Sequence, residues 1–277
     1  MNANAWINKA KLQLENVGLP FSSIALIVDK VFNVSLNEFM LFEEIDSSEI
    51  DLFLKEILKK ERPIAHIIGY EIFYGYKIFV SSNVLIPRVE TEELVYNIIN
   101  DIKSQYSKNS TIKIADICTG SGVIGITLLK ELGSDYNIEL SITDISKDAL
   151  DVAKKNLEYH DLKCNVLCGD LLEPLKDVKF DIIVSNPPYI PSSELLEDIV
   201  LNNEPSLALF GGKLGYEPYE LILKDVKKNL KNEGLIYFEI GDGQGDILNE
   251  LCKKYFKKEL IIINDLFGRQ RIVKIQL

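Results

Sequence analysis

Two histidines, His66 and His160, and four cysteines, Cys118, Cys164, Cys168 and Cys252, occur in 277 residues. No two cysteines form a C-x-x-C pair, so a structural zinc site finds no ligand set. Four thiols in so long a chain do not make a disulfide framework either. No apolar run approaches the roughly 18 residues that span a bilayer. The start, MNANAWINKAKLQLENVG, carries charges every few residues and has no signal-peptide core. Positive charge is in deficit: 31 Lys and Arg stand against 42 Asp and Glu, a net charge of −11. That excludes blanket attachment to phosphate backbones, which needs clustered positive charge. The hydrophobic share, 47%, excludes wholesale disorder. What remains is a globular chain of one or two domains with a sizeable core. A reducing, cytoplasmic location is expected.

The first sixty residues read as helices. Ile50, Phe53, Leu54, Ile57 and Leu58 mark one apolar helical face, with Ser47 or Ser48 as its cap. Trp6, Ile7, Ala10, Leu14 and Val17 form a second stripe, stopped by Gly18 and Pro20, and 22–32 is a third candidate. Residues 1–80 hold 8 basic and 11 acidic side chains, a charge of −3, so this is no basic arm. EIFYGYKIFV (71–80) has two short aromatic and β-branched runs around Gly75, the pattern of a hairpin. The domains expected are a helical one over 1–70, a hairpin linker over 71–84, and a larger domain over 85–277.

From residue 85 the pattern alternates strand and helix. Strands are predicted at 112–117, 138–143, 165–168, 180–185 and 235–240, and helices at 90–103, 122–132, 146–159, 215–231 and 244–254. Such alternation predicts an α/β fold with a doubly wound, mostly parallel sheet. Its end differs: strands at 260–263 and 271–277 are joined by a loop too short for a helix, so they must pair antiparallel.

DICTGSGVIG (Asp116–Gly125) follows a predicted strand and opens a helix, with Gly120, Gly122 and Gly125 in G-x-G-x-x-G spacing. Such a loop lets backbone approach a nucleotide-like ligand, and Asp144, ending the next strand, suits a ribose diol. NAD and S-adenosylmethionine both remain open at this point. Asp116 suits the cationic tail of the latter. Asp170 ends the third strand, where adenine contacts are expected, although a solvated turn residue explains it equally well.

FDIIVSNPPYIP (180–191) runs a buried-looking strand into Asn186, Pro187, Pro188 and Tyr189. Two prolines fix φ and remove two backbone donors. A rigid loop presenting carbonyl acceptors, one Asn and one aromatic face remains, at the strand end where open α/β sheets bind ligands. Methylation of a planar NH2 group needs such a loop, because its lone pair is delocalised. The Asn186 side-chain carbonyl and the Pro187 backbone carbonyl suit the two N–H groups, and Tyr189 suits the flat amide or base. Catalysis then rests on positioning and electrostatics.

Over nearly its whole length the chain resembles the release-factor glutamine methyltransferases (HemK/PrmC family), which are class I S-adenosylmethionine-dependent methyltransferases. The stretches that carry the resemblance are RPIAHIIGYEIFYGYKIFV, VLIPRVETEELV, ADICTGSGVIG, TDISKDALDVAKKN, GDLLEPL, FDIIVSNPPYI, EPSLALFGG, GLIYFEIGDGQ and DLFGRQRIV. NPPY also occurs in adenine and guanine N-methyltransferases; the PR-x-ETE segment and the helical N-terminus are more specific. The resemblance implies methylation of the glutamine side-chain amide (N5) in the Gly-Gly-Gln motif of class I peptide chain release factors, with S-adenosylmethionine as cofactor.

Residue by residue, it implies that Cys118, Thr119, Gly120, Ser121, Gly122, Asp144, Asp170, Leu171 and Asn186 hold the cofactor. Asn186, Pro187, Pro188 and Tyr189 hold the glutamine amide, with Asn186, Pro187 and Tyr189 at the chemistry. The helical domain contacts the release factor, and Arg88, Glu90 and Thr91 line the pocket edge without a chemical step. A monomer that binds neither membrane nor nucleic acid is expected. Two positions depart from the family pattern: Val89 replaces the second proline of PRPETE, and Leu214-Gly215 stands where an Asp-Gly pair is usual.

The histidines, Cys118, Cys164 and Cys168 carry no expected chemistry, and Lys253, Lys254, Lys257 and Lys258 read as a solvated helix end. Rival readings keep the chemistry but take a ribosomal-protein glutamine or a nucleic-acid base amine as acceptor. Others make the chain an NAD-dependent oxidoreductase, or a binding module with a degenerate site.

Overall fold

The computed structural model describes residues 1–176 and 178–277. They divide into two units. The smaller holds residues 1–70 and 197–203, the larger residues 71–196 and 204–277.

In the smaller unit, α1 (Ala3–Asn16), α2 (Ser22–Phe32), α3 (Leu36–Phe39), α4 (Ser48–Leu58) and α5 (Ile64–Ile68) enclose Trp6, Leu14, Ile24, Ile27, Phe39, Ile50 and Ile57. Trp6, Leu14, Ile50 and Ile57 come from the two stripes expected from helical spacing, whose Val17 falls past the end of α1 as its cap; Ile24 and Ile27 lie in the third expected helix, and Phe39 was not singled out. Trp6 meets Phe39 edge to face at 6.2 Å, and its indole N–H donates to Asp51 at 2.9 Å, so a buried Trp keeps its polar handle satisfied. The Ser35 hydroxyl and the Glu38 carboxylate cap α3 reciprocally.

A hairpin follows, β1 (Tyr70–Phe73) and β2 (Tyr76–Phe79), turning at Gly75. Residues 71–84 group with the larger unit, and Tyr70 with the smaller. Then come α6 (Val89–Gln105), β3 (Thr111–Ile117), α7 (Val123–Leu132), β4 (Asn137–Asp144), α8 (Lys147–Tyr159), β5 (Asn165–Cys168) and β6 (Phe180–Ser185). The next helix, α9 (Asp198–Asn203), belongs to the smaller unit. The larger unit resumes with α10 (Ser206–Leu209), α11 (Glu217–Asp225), β7 (Leu230–Glu239), α12 (Gly245–Phe256), β8 (Ile261–Asn264) and β9 (Gln270–Gln276).

The seven strands lie in the order β5-β4-β3-β6-β7-β9-β8, parallel as far as β7, with β9 antiparallel to both neighbours. The antiparallel finish expected from the short last loop is present. The predicted helix over 215–231 is shorter than its pattern: α11 ends at Asp225, a 3-10 turn covers Val226–Lys228, and β7 starts at Leu230. Asn229 is the reason. Its buried side chain donates to the carbonyls of Lys176 and Val178, and its own carbonyl receives the Phe180 N–H at 2.8 Å, which starts the strand pairing.

The registers decide where the site falls. Ile117 lies opposite both Thr143 and Ser185, Asp144 opposite Cys168, and Ser185 opposite Phe238. The residues that follow these strands therefore form one row at the carboxyl edge of the sheet. The chain order reverses there, between β4 and β6 on either side of β3, which is where doubly wound sheets hold ligands.

Candidate active site

A cavity of about 220 Å³ opens at that edge. Cys118, Thr119, Gly120, Ser121, Asp144, Asp170, Leu171, Asn186 and Pro188 line it, together with Arg88 and Thr91 from the start of α6. Most of the residues singled out from sequence thus meet around one space, although they come from the ends of four different strands. Gly122, Pro187 and Tyr189 are not among its lining residues.

The glycine loop is held by carboxylates. Asp116 is fully buried; its Oδ2 accepts from the Thr119 hydroxyl at 2.6 Å and from the Gly125 N–H at 3.1 Å. It therefore caps the first turn of α7 from behind, and it does not line the cavity, contrary to the expectation that it faces a cationic tail. Burial pushes its carboxyl up to about 7, against those two hydrogen bonds. Asp144 lines the cavity and ties the loop from the other side. Its Oδ2 accepts from Gly120 N–H at 2.9 Å and its Oδ1 from Ser146 N–H at 2.9 Å. Gly125 packs α7 onto β4, since a Cβ there would lie 2.9 Å from Leu140 Cδ2.

This donor set discriminates between ligands. A pyrophosphate needs free amides at the helix N-terminus. Here the Gly120 and Gly125 amides are already bonded to carboxylates, and Asp144 and Asp170 add negative charge to the wall. Such a wall favours a phosphate-free, positively charged nucleoside over an anionic dinucleotide. Cys118 and Leu171, both on the cavity, adopt left-handed backbone with φ of 57° and 45°, a strain that concentrates at functional sites. Burial pushes the Cys118 thiol up to about 12, so no thiolate is available there.

The Asn-Pro-Pro-Tyr loop is held differently, by close backbone approach. A Cβ on Gly211 would lie 2.3 Å from the Pro188 carbonyl oxygen, and one on Gly215 would lie 2.4 Å from that of Tyr189. The Gly211 N–H donates to Ile190 O, and Ser192 donates to Gly212 O through both its N–H and its hydroxyl. Gln244 donates to the Tyr189 carbonyl at 3.0 Å while its Oε1 accepts from Gly241 N–H. The Leu214 departure leaves this loop ordered, because Gly215 supplies the close approach and Glu217 accepts from the Leu214 N–H. Val89 is 68% exposed at the first position of α6, so losing a proline there costs no buried contact. Tyr189 packs against the apolar cluster that holds Tyr219, Ile236 and Phe238, and burial raises its phenol to about 12.

Four supporting residues were not singled out from sequence. Glu204, 5% exposed, accepts from Ile86 N–H and pairs with Arg88 at 2.5 Å, fixing the segment that leads into α6. Asn156 bridges Phe79 of the hairpin and the Ser121 carbonyl of the glycine loop. Gln244 holds the Tyr189 carbonyl as described. Glu239 ends β7, 1% exposed, and accepts from the Thr91 hydroxyl at 2.6 Å. Two signals were available in the sequence: a carboxylate closing the apolar run LIYFE, and an Asn on the apolar face of α8 beside Ala153 and Leu157. Away from the site, His160 bonds the Lys77 carbonyl, Lys253 and Lys254 pair with Glu250 and Glu220, and Lys258 bonds the Gln276 carbonyl. No helix among the described residues is long and apolar enough to cross a membrane.

Residues 99–214 match the family model described as methyltransferase small domain. The chain is 38% identical over 240 residues to a release factor glutamine methyltransferase of Bacillus subtilis, covering 84% of this chain and 82% of that one. With the release factor glutamine methyltransferase of Streptococcus pneumoniae it shares 36% identity over 94% of this chain and 93% of that one. Among solved structures, a methyltransferase from Pyrococcus furiosus superposes with a TM-score of 0.53 at 16% identity, covering 74% of this chain and 90% of that one. A 16S rRNA N2 G1207 methyltransferase from T. thermophilus, in complex with AdoMet and guanosine, gives 0.54 at 14% identity, over 75% of this chain and 49% of that one. At such identities these two structures bear on the fold alone.

Proposed function

The chain belongs to the release factor glutamine methyltransferase family, and on that premise we propose that it methylates the glutamine of the Gly-Gly-Gln motif in class I peptide chain release factors. It is an S-adenosylmethionine-dependent methyltransferase with the class I fold. The observation that carries the reading is the convergence of the carboxylate-held glycine loop and Asn186 on one cavity.

The cofactor supplies an electrophilic methyl carbon attached to a positively charged sulfur. Cys118–Gly122, Asp144, Asp170, Leu171 and Asn186 are the residues we assign to hold it. Asp144 is suited to a ribose diol, because each of its oxygens keeps a lone pair beyond its bond to the loop. Asp144 and Asp170 on the cavity wall suit the sulfonium.

Asn186, Pro187, Pro188 and Tyr189 are assigned to the acceptor. A glutamine amide nitrogen carries two N–H groups and a delocalised lone pair. Acceptance of those N–H groups by Asn186 Oδ1 and the Pro187 carbonyl turns the nitrogen toward the methyl carbon and stabilises the charge that develops on it. Its extra proton leaves to solvent. The helical residues 1–70 are assigned to grip the release factor; Leu12, Leu41 and Leu52 stand 63%, 79% and 63% exposed on them. Since release factors act in translation, the proposed place of action is the cytoplasm. Neither nucleic acid nor a second copy of the chain enters this reading.

The test is transfer of labelled methyl from S-adenosylmethionine to purified release factor, either wild type or with the motif glutamine changed to alanine. Label is expected only with the glutamine present, and Asn186→Ala is expected to lower it by about 10²–10³-fold. Label on ribosomal proteins or RNA, with none on release factor, would overturn the substrate assignment.

A further inference from the structure

We propose that Thr91 and Glu239 are positioning residues that fix which end of the Asn186 amide faces the acceptor. Thr91 lies in the first turn of α6, Asn186 follows β6, and Glu239 ends β7; the fold brings the three together from separate segments. Thr91 and Glu239 are 2% and 1% exposed.

The argument is one of donor inventory. A carboxylate only accepts hydrogen bonds, and a hydroxyl has a single hydrogen to donate. The Thr91 hydroxyl gives that hydrogen to Glu239 Oε2 at 2.6 Å. Toward Asn186 the Thr91 oxygen can therefore only accept, and it accepts from Nδ2 at 3.4 Å. The Asn186 amide also lies near the Glu239 carboxylate and favours its charged form. Thr91 takes only the NH2 end of the amide, and the carboxylate beyond it favours the same end. Oδ1, the only acceptor on this side chain, is left for the cavity that Asn186 lines. An Asn turned the other way would present N–H groups to an incoming amide N–H and repel it.

A carboxylate closing an apolar strand is expensive unless hydrogen-bonded, and such groups cluster at functional sites. Glu239 faces Thr91 and Glu90 from α6, Asn186 from its loop, and Arg271 from β9, while the Tyr219 hydroxyl of α11 donates to its backbone carbonyl. Burial pushes the Glu239 carboxyl up to about 7; the Thr91 hydroxyl and Arg271 favour its charged, acceptor-only form and Glu90 opposes it, so that form prevails above about pH 7. The chain of polarity thus starts at Glu239 and ends at Asn186 Oδ1.

The inference rests on the glutamine reading for the identity of the acceptor, and the experiment separates the two. Wild-type enzyme and full-length release factor test that reading; the variants Thr91→Val, Thr91→Ser and Glu239→Gln test the positioning pair. Expected are kcat losses of about 10- to 100-fold for Thr91→Val and Glu239→Gln. Their affinity for S-adenosylmethionine by calorimetry should stay within about threefold, and Thr91→Ser, which keeps the hydroxyl, should recover most of kcat. In an Asn186→Ala background, Thr91→Val should cause no further loss, because the group it orients is gone. A merely structural role predicts the same loss in both backgrounds, and that result overturns the proposal, as does wild-type kcat in folded Thr91→Val. One arm needs no acceptor: the Asn186 side-chain amide protons should be well dispersed in 15N spectra of the wild type and lose that dispersion in Thr91→Val. Unchanged signals there overturn the proposal even if release factor proves not to be the substrate.

Discussion

The two walls of the cavity are built from different materials. The glycine-loop wall is fastened by carboxyl side chains: Asp116 and Asp144 take up loop amides from behind and from the side. The Asn-Pro-Pro-Tyr wall is fastened by backbone shape, with Gly211 and Gly215 lying where no side chain fits and Gln244 clasping the Tyr189 carbonyl. The difference follows from what each wall must do. A cationic cofactor is served by negative charge nearby. An amide acceptor is served by neutral carbonyls at fixed positions, which charge would not orient and flexible side chains would blur.

If the walls are separable, damage to one should spare the other. The largest effect is expected from Gly215→Ala. Its methyl would lie 2.4 Å from the Tyr189 oxygen, at a backbone φ of 83° that alanine rarely adopts. The loop must shift, at a cost of about 1–3 kcal/mol in stability, and methyl transfer should fall by about 100-fold, since an ångström of misplacement has that effect. Cofactor affinity, read by calorimetry, should hardly change. A parallel loss of cofactor binding would break the distinction between the walls.

The opposite lesion is Asp144→Asn. Asparagine keeps one acceptor and turns an NH2 group toward either the Gly120 or the Ser146 amide, so one loop donor loses its partner. Affinity for S-adenosylmethionine should weaken by about 10- to 100-fold, equivalent to the roughly 1–3 kcal/mol of an unsatisfied buried group. The KM for release factor should stay put. An unchanged cofactor Kd would show that the carboxylate does not hold the loop.

The walls were also unequally legible in the sequence. Both announce themselves locally: three glycines between a strand and a helix, and two prolines after another strand, constrain the backbone wherever they occur. The parallel strands and the antiparallel finish could be read from periodicity and loop length for the same reason. What stayed hidden is whatever depends on register between distant segments. Asp116 reads as a ligand group because it ends a strand at the right place. It caps α7 instead, because the chain returns over it and brings Gly125 N–H within 3.1 Å. Glu204 pairs with Arg88 across 116 residues, and Thr91 meets Glu239 across 148. No local pattern encodes such a meeting; only the sheet order does. Asn229 shows the same limit at smaller scale, since its two carbonyl partners end the helical pattern sooner than hydrophobic spacing suggests.

Fastening a loop by buried carboxylates should also leave a mark on stability, which is the smallest effect and the most direct reading of the first wall. Burial raises the Asp116 carboxyl to about 7, and it raises Asp144 in the same direction. An acid raised on folding keeps its proton in the native state while the unfolded chain has already released it. Between about pH 4 and pH 7 the native state therefore binds more protons than the unfolded one, and stability falls as pH rises through that window, levelling off above it. One such group contributes a slope of about 1 kcal/mol per pH unit. Urea unfolding at pH 5, 6 and 7 should show this decline in the wild type and a shallower one in Asp116→Asn, the difference being that one group's share. Carboxylates held low by exposed partners, such as Glu38 and Glu56, act below the window and drop out of the comparison. An identical slope in the two proteins would mean that Asp116 keeps its charge when buried. The Thr119 and Gly125 hydrogen bonds would then outweigh desolvation, and the wall would be fastened more tightly than its burial allows.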